Sequence, residues 1–125
     1  MSEIVGIGMD VVNVNRIRRD VSGSDENFLS RFLSEEELDM YRQLVDPIPH
    51  YCGLLAAKEA VIKVISPERS DGMMFKNIRI TGRPPVVSLS GKAEDIARTK
   101  GIRRFMVSVT HGDGIAAAVS IGIGD

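Results

Sequence analysis

The stretch Ile4–Asp10, IVGIGMD, decides how the rest of the chain is read. It alternates as a strand does, with Val5, Ile7, Met9 and Val11 on one face and Ile4, Gly6, Gly8 and Asp10 on the other. Two glycines inside a strand mark a bulge or the close approach of some other group. The four apolar side chains are expected to build the core. The bare face leaves room beside Asp10 for either a ligand or a packed helix. Taken alone, Asp10 reads first as an acid capping the next helix, ahead of a ligand-binding role.

Working outward, NVNRIRRD (residues 13–20) predicts a short helix with its arginines outermost, and DENFLSRFL (25–33) continues helically. SEEELDMYRQL starts a further helix with a capping box, Ser34 as N-cap and Glu37 three residues on. DPIP (46–49) breaks the chain. HYCGLLAAKEAVIKVI (50–65) is then the longest helical candidate, closed by Pro67. A loop at SPERSDGM, a strand at FKNIRI, a turn at TGRPP and a strand at VVSLS follow. SGKAEDIARTKG predicts a helix capped by Ser90, and RFMVSVTH and IAAAVSIG flank GDG as a hairpin. The closing IGIGD echoes the opening stretch; nothing around it repeats, so the echo reads as coincidence. Mixed helices and strands with an antiparallel finish make the fold class α+β.

At 125 residues the chain is expected to form one domain, residues 1–125. Apolar content of 43% and charged content of 26% suit a globular protein. No run approaches the ~20 apolar residues that cross a bilayer, and no basic-then-apolar leader precedes the first strand. A single cysteine, Cys52, excludes an internal disulfide and fits a reducing cytosol, so a cytoplasmic location is expected. Net charge is −1, from 16 basic and 17 acidic residues, which excludes a global nucleic-acid binder. Arg16, Arg18, Arg19 and Arg31 precede Glu35, Glu36, Glu37 and Asp39, so a local basic patch is possible.

Besides Asp10, two positions invite chemistry, Glu59 and His111. In the long helix, Leu54, Leu55, Ile62 and Ile65 form an apolar arc at ~100° per residue. Lys58 projects from inside that arc and Glu59 from its rim. Charges seldom sit there unpaired; a snorkelling Lys58 and a Glu59–Lys63 pair is the plain alternative. If Asp10 and Glu59 meet, two carboxylates with waters suit Mg²⁺, and Lys63 could reach a phosphate oxygen. Ser108, Thr110 and His111 would place hydrogen-bond donors at a strand end, although a histidine in a turn is often only solvated. A Cys52–histidine nucleophile, or zinc through His50, Cys52 and His111, matches no known spacing.

Taken in order, GIGMDVVNVNRI, FLSRFLSEEEL, AAKEAVIK, ITGRPPVVSLSG and VSVTHGDGIAAAVS resemble the holo-acyl-carrier-protein synthase family, the small 4′-phosphopantetheinyl transferases. The resemblance runs from about residue 4 to residue 121. It implies the family's fold, a small, mostly antiparallel sheet packed against a long helix, and an assembly of three copies with active sites between them. The implied reaction moves the phosphopantetheine arm of coenzyme A to a serine of acyl carrier protein, in fatty-acid or related lipid biosynthesis. It implies Asp10 and Glu59 as Mg²⁺ ligands, Lys63 near the coenzyme A phosphates, and Ser108, Thr110 and His111 as coenzyme contacts. Arg16 corresponds to the arginine that meets the acidic helix of the carrier protein, and Phe28 and Arg31 to a segment lining the same region. The general base is expected to be Glu59 or a water that it orients.

Two departures qualify the match. The family usually has Arg then Phe before AAKEA, where this chain has Leu54 and Leu55. The loop after the helix, usually Gly-rich, carries only Gly72 here, with Arg69 as a possible substitute charge. They motivate an alternative, a coenzyme A or carrier-protein binding module that has lost transfer.

Overall fold

The computed structural model describes residues 3–23, 27–66 and 75–125. The order is β1 (Ile4–Asn13), α1 (Val14–Gly23), a 3-10 turn (Leu29–Arg31), α2 (Glu35–Asp39), α3 (Ile48–Ile65), a second 3-10 turn (Phe75–Asn77), β2 (Ile78–Thr81), β3 (Val86–Leu89), α4 (Gly91–Thr99), β4 (Arg104–Gly112) and β5 (Ile115–Ile123). An antiparallel sheet in the order β1-β5-β4 lies beneath α3, and β2-β3 form a separate antiparallel pair. The architecture is α+β, as the mixed pattern predicts.

The hairpin closes at Asp113 and Gly114, whose φ values of 53° and 80° suit the type I′ turn that an Asp-Gly pair favours. α2 is only five residues long, but its capping box is complete: Glu37 N–H donates to Ser34 Oγ (3.2 Å) and Ser34 N–H to Glu37 Oε1 (2.8 Å). The stretch expected as continuous helix over 25–33 holds only the 3-10 turn among the described residues. FKNIRI likewise divides into a 3-10 turn and a strand. The loop carrying Arg69 and Gly72 lies outside the described residues.

The expectation for β1 is inverted. Ile7, Met9 and Val11 are 65%, 64% and 58% exposed, and Val5 is exposed as well. The inward face carries Gly6, Gly8, Asp10 and Val12, in register with Gly122, Ser120, Ala118 and Ala116 of β5. Small residues face inward because α3 lies almost on the backbone. A Cβ on Gly8 would overlap the Ala60 carbonyl oxygen, and one on Gly122 would stand 2.7 Å from Val64 Cγ1. Gly6 pairs with Gly122 under the same valine, so the echo between the two ends of the chain is a matched seat for the helix and not coincidence.

α3 is buried along most of its length, with the β1-β5-β4 sheet on one side and α1, β2 and α4 packed around it. A helix enclosed in this way needs no sharply polar face. Its alanines, Ala56, Ala57 and Ala60, are fully buried and permit the close approach. Leu33, Ile65, Ile78, Ile80 and Ala93 complete the core around it.

Candidate active site

The seat on Gly8 decides where the residues singled out in the sequence come together. It sets the Ala60–Lys63 turn of α3 directly over the end of β1. Lys63 Nζ donates to Asp10 Oδ1 at 3.1 Å and to the Met9 carbonyl at 3.0 Å. The Asp10 side chain is about one-fifth exposed. Asp10 and half-buried Glu59 line one cleft of about 460 Å³, together with Asn13, Arg16, Asp20 and the aromatic rings of Phe28, Phe32 and Phe75. The cleft therefore unites five of the residues singled out in the sequence: Asp10, Glu59, Arg16 and Phe28 in its lining, and Lys63 bonded to Asp10.

Arg16 owes its position to the start of α1, where its backbone N–H donates to Asn13 Oδ1 at 2.9 Å. The neighbouring Arg18 is held away from the cleft by a two-point ion pair with Asp46, both distances 3.0 Å. Arg31 sits exposed on the 3-10 turn and is not part of the cleft lining.

The late cluster divides. Strand alternation places Ser108 and Thr110 on the outer face of the sheet, beside Val119 and Ala117, and turns His111 to the α3 side. His111 meets the His50 ring at 4.8 Å, and His50 in turn stacks on Tyr41 at 4.7 Å. The Arg83 guanidinium stands 5.5 Å from the Tyr41 ring centre. These groups and Leu54 border a second cavity of about 240 Å³ with no carboxylate in its lining. Burial, the neighbouring His111 and Arg83 together hold the His50 pKa below the ordinary histidine value. Cys52 is fully buried, and burial pushes its thiol up to about 11, which leaves it unsuited to nucleophilic work.

Lys58 does not snorkel. It is completely buried and ion-paired with Glu37 Oε1 at 2.7 Å. Burial lowers its pKa while Glu37 pulls it upward. Sequence reasoning did not pair these two residues, which stand 21 positions apart. The cleft residues Asn13, Asp20, Phe32 and Phe75 were also missed; only their neighbourhood to Asp10 in the fold marks them.

The donor set fits magnesium. Three carboxylates, Asp10, Asp20 and Glu59, line the cleft, and among the described residues no three His, Cys, Asp or Glu side chains gather closely enough for a closed metal cage. Mg²⁺ characteristically takes one or two carboxylates and completes its shell with water and substrate phosphates.

Comparison with known proteins identifies the family. The family model described as the 4′-phosphopantetheinyl transferase superfamily matches residues 6–117. A holo-[acyl-carrier-protein] synthase of Maridesulfovibrio salexigens is 31% identical over 121 residues, covering 94% of this chain and 97% of its own. Among solved structures, the holo-ACP-synthase of Plasmodium yoelii superposes with a TM-score of 0.82 at 27% identity, covering 100% of this chain and 98% of that one. The Helicobacter pylori holo-[acyl-carrier-protein] synthase, solved in complex with coenzyme A, superposes at 0.79 with 28% identity, covering 94% and 99%. By sequence and by fold, the chain belongs to the 4′-phosphopantetheinyl transferase superfamily.

Proposed function

We propose that this protein is a holo-acyl-carrier-protein synthase, which transfers 4′-phosphopantetheine from coenzyme A to a serine of acyl carrier protein. The observation that carries the reading is that Asp10 and Glu59 line one cleft, with Lys63 on Asp10 and Arg16 and Phe28 at its wall. Asp10 and Glu59 would hold Mg²⁺, which when bound neutralises charge on the pyrophosphate oxygens. The serine Oγ attacks the β-phosphorus of coenzyme A. The bond from that phosphorus to the bridging oxygen breaks, and adenosine 3′,5′-bisphosphate leaves. Glu59 accepts the serine proton, directly or through a water that it orients. Lys63 supplies positive charge where the phosphoryl oxygens gather it.

Arg16, Phe28 and Arg31 form the carrier-protein contact, a basic and aromatic surface suited to an acidic helix. His111, with His50 and Arg83, brings cationic and donor groups to the cavity where Leu54 replaces the family's arginine. The protein works as a homotrimer. An outer sheet face that exposes Ile7, Met9, Val11, Met106 and Ile115 supports this, since monomers rarely leave such a patch uncovered. Ser108 and Thr110 lie on that same face, so a neighbouring copy is the means by which they contact coenzyme A. The role is a cytoplasmic one in lipid biosynthesis; no helix among the described residues is long and apolar enough to cross a membrane.

The test incubates the protein with apo-carrier protein, coenzyme A and Mg²⁺. The carrier should gain the mass of one phosphopantetheine, and a chelator should stop the gain. Coenzyme A binding with no release of the bisphosphate would instead identify a binding module.

A further inference from the structure

The Lys58 ammonium has three N–H donors, and all three are used. They reach Glu37 Oε1 (2.7 Å), the Phe32 carbonyl (2.8 Å) and the Phe75 carbonyl (3.3 Å). Glu37 is equally saturated: Oε1 also takes the Ser34 N–H, and Oε2 takes the Ile80 N–H at 2.8 Å. One fully buried ion pair thus joins the 3-10 turn, α2, the second 3-10 turn and β2 to α3.

Both carbonyls that Lys58 grips belong to residues whose rings line the Asp10–Glu59 cleft. Phe32 meets Phe75 edge-on at 5.1 Å, and Phe28 packs on Phe32 at 5.3 Å. The rings form a continuous aromatic wall, and Lys58 holds two of its three backbones from beneath. Glu59, the next residue along α3, lies in the same cleft. The distance between wall and carboxylate is therefore set through adjacent positions of one rigid helix. A buried pair of this kind is weak evidence for stability, because an apolar replacement of similar volume is often as stable. Its value lies in geometry.

We infer that Lys58, with Glu37, is a positioning residue: it fixes the Phe28–Phe32–Phe75 wall against Glu59 so that the wall docks the carrier protein. The inference rests on the reading that this cleft receives the carrier protein. Neither residue touches the reacting atoms.

Steady-state transfer by the double variant Lys58→Met/Glu37→Gln, which removes both charges together, tests it. A folded double variant should show a KM for apo-carrier protein raised about tenfold, with kcat and the KM for coenzyme A within about twofold of the unaltered chain. A merely structural role lowers the active fraction, which reduces kcat and leaves both KM values in place. An unchanged carrier KM in the folded double variant overturns the inference. If that variant does not fold, Glu37→Gln alone decides; it keeps an acceptor for Lys58 but loses the ionic contact. A raised carrier KM there supports the inference, and an unchanged one overturns it. Absence of transfer by the unaltered chain, seen before any variant is made, would overturn the functional reading and the inference with it.

Discussion

Gly8 and Ala60 meet backbone to backbone: the Ala60 carbonyl oxygen occupies the space that a side chain on Gly8 would need. This contact sets the depth of α3 on the sheet and carries Lys63 to Asp10. Gly8→Ala should therefore force the helix outward, since a backbone oxygen cannot swing aside as a flexible side chain can. We expect a loss of ~1–3 kcal/mol in stability, read from urea unfolding, with transfer falling further than the folded fraction. Wild-type stability and activity in Gly8→Ala would show that the seat is not what positions the site.

Lys63 separates charge from stability. Its pair with Asp10 is part-exposed, so Lys63→Met should cost at most about 1 kcal/mol in folding. Transfer should nevertheless fall about 10²-fold in kcat. Asp10→Ala and Glu59→Ala should abolish transfer while circular dichroism stays unchanged. Full activity in either carboxylate variant would rule out the proposed metal role.

The exposed face offers a third check. Ile7, Ile121 and Met106 lie side by side across the three strands, and Ile7 and Met106 are well exposed. Burying such side chains is worth ~1.5–3 kcal/mol each. Ile7→Lys/Met106→Lys should thus shift sedimentation from trimer to monomer without loss of helical signal, and transfer should stop. A fully active monomer would remove the need for a neighbouring copy.

His50 makes stability depend on pH. Its folded pKa lies below the unfolded value near 6.5, so the folded chain binds fewer protons on the acid side. The contribution is complete above pH 6.5 and fades as pH falls through the folded pKa. Urea midpoints should drop between pH 7.5 and pH 5, and by less in His50→Asn. Equal drops in the two proteins would show that His50 is not the titrating group.

Much of this was readable from residue patterns. The hairpin, the capping box at Ser34, the long helix and the placing of Asp10 and Glu59 in one cleft all follow from local chemistry or the family series. The inward face of β1 did not, because alternation divides a strand into two faces without saying which one packs. Hydrophobicity favoured Val5, Ile7, Met9 and Val11, whereas a helix seated on glycine needs the bare side inward. The same rule of two, applied to VSVTH, separates Ser108 and Thr110 from His111. The Lys58–Glu37 pair was illegible for a different reason: it joins distant segments with no shared period, and only its burial within an apolar arc hinted at a partner.

The pairing of β1 with β5 also governs the order of assembly. Asp10 lies on the first strand, yet its ladder partner Ala118 lies on the last. Such long-range closure slows folding, since most of the chain must be spanned before the contact repays the loss of entropy. During synthesis, α3 and the β2-β3 pair leave the ribosome before β5 exists to hold β1. Until Ile115–Ile123 emerges, Glu59 can already sit on its helix while Asp10 has no strand to anchor it. The cleft shared by Asp10 and Glu59 is thus among the last parts of this fold to form, and a nascent chain cannot complete it before Ile115–Ile123 has been made.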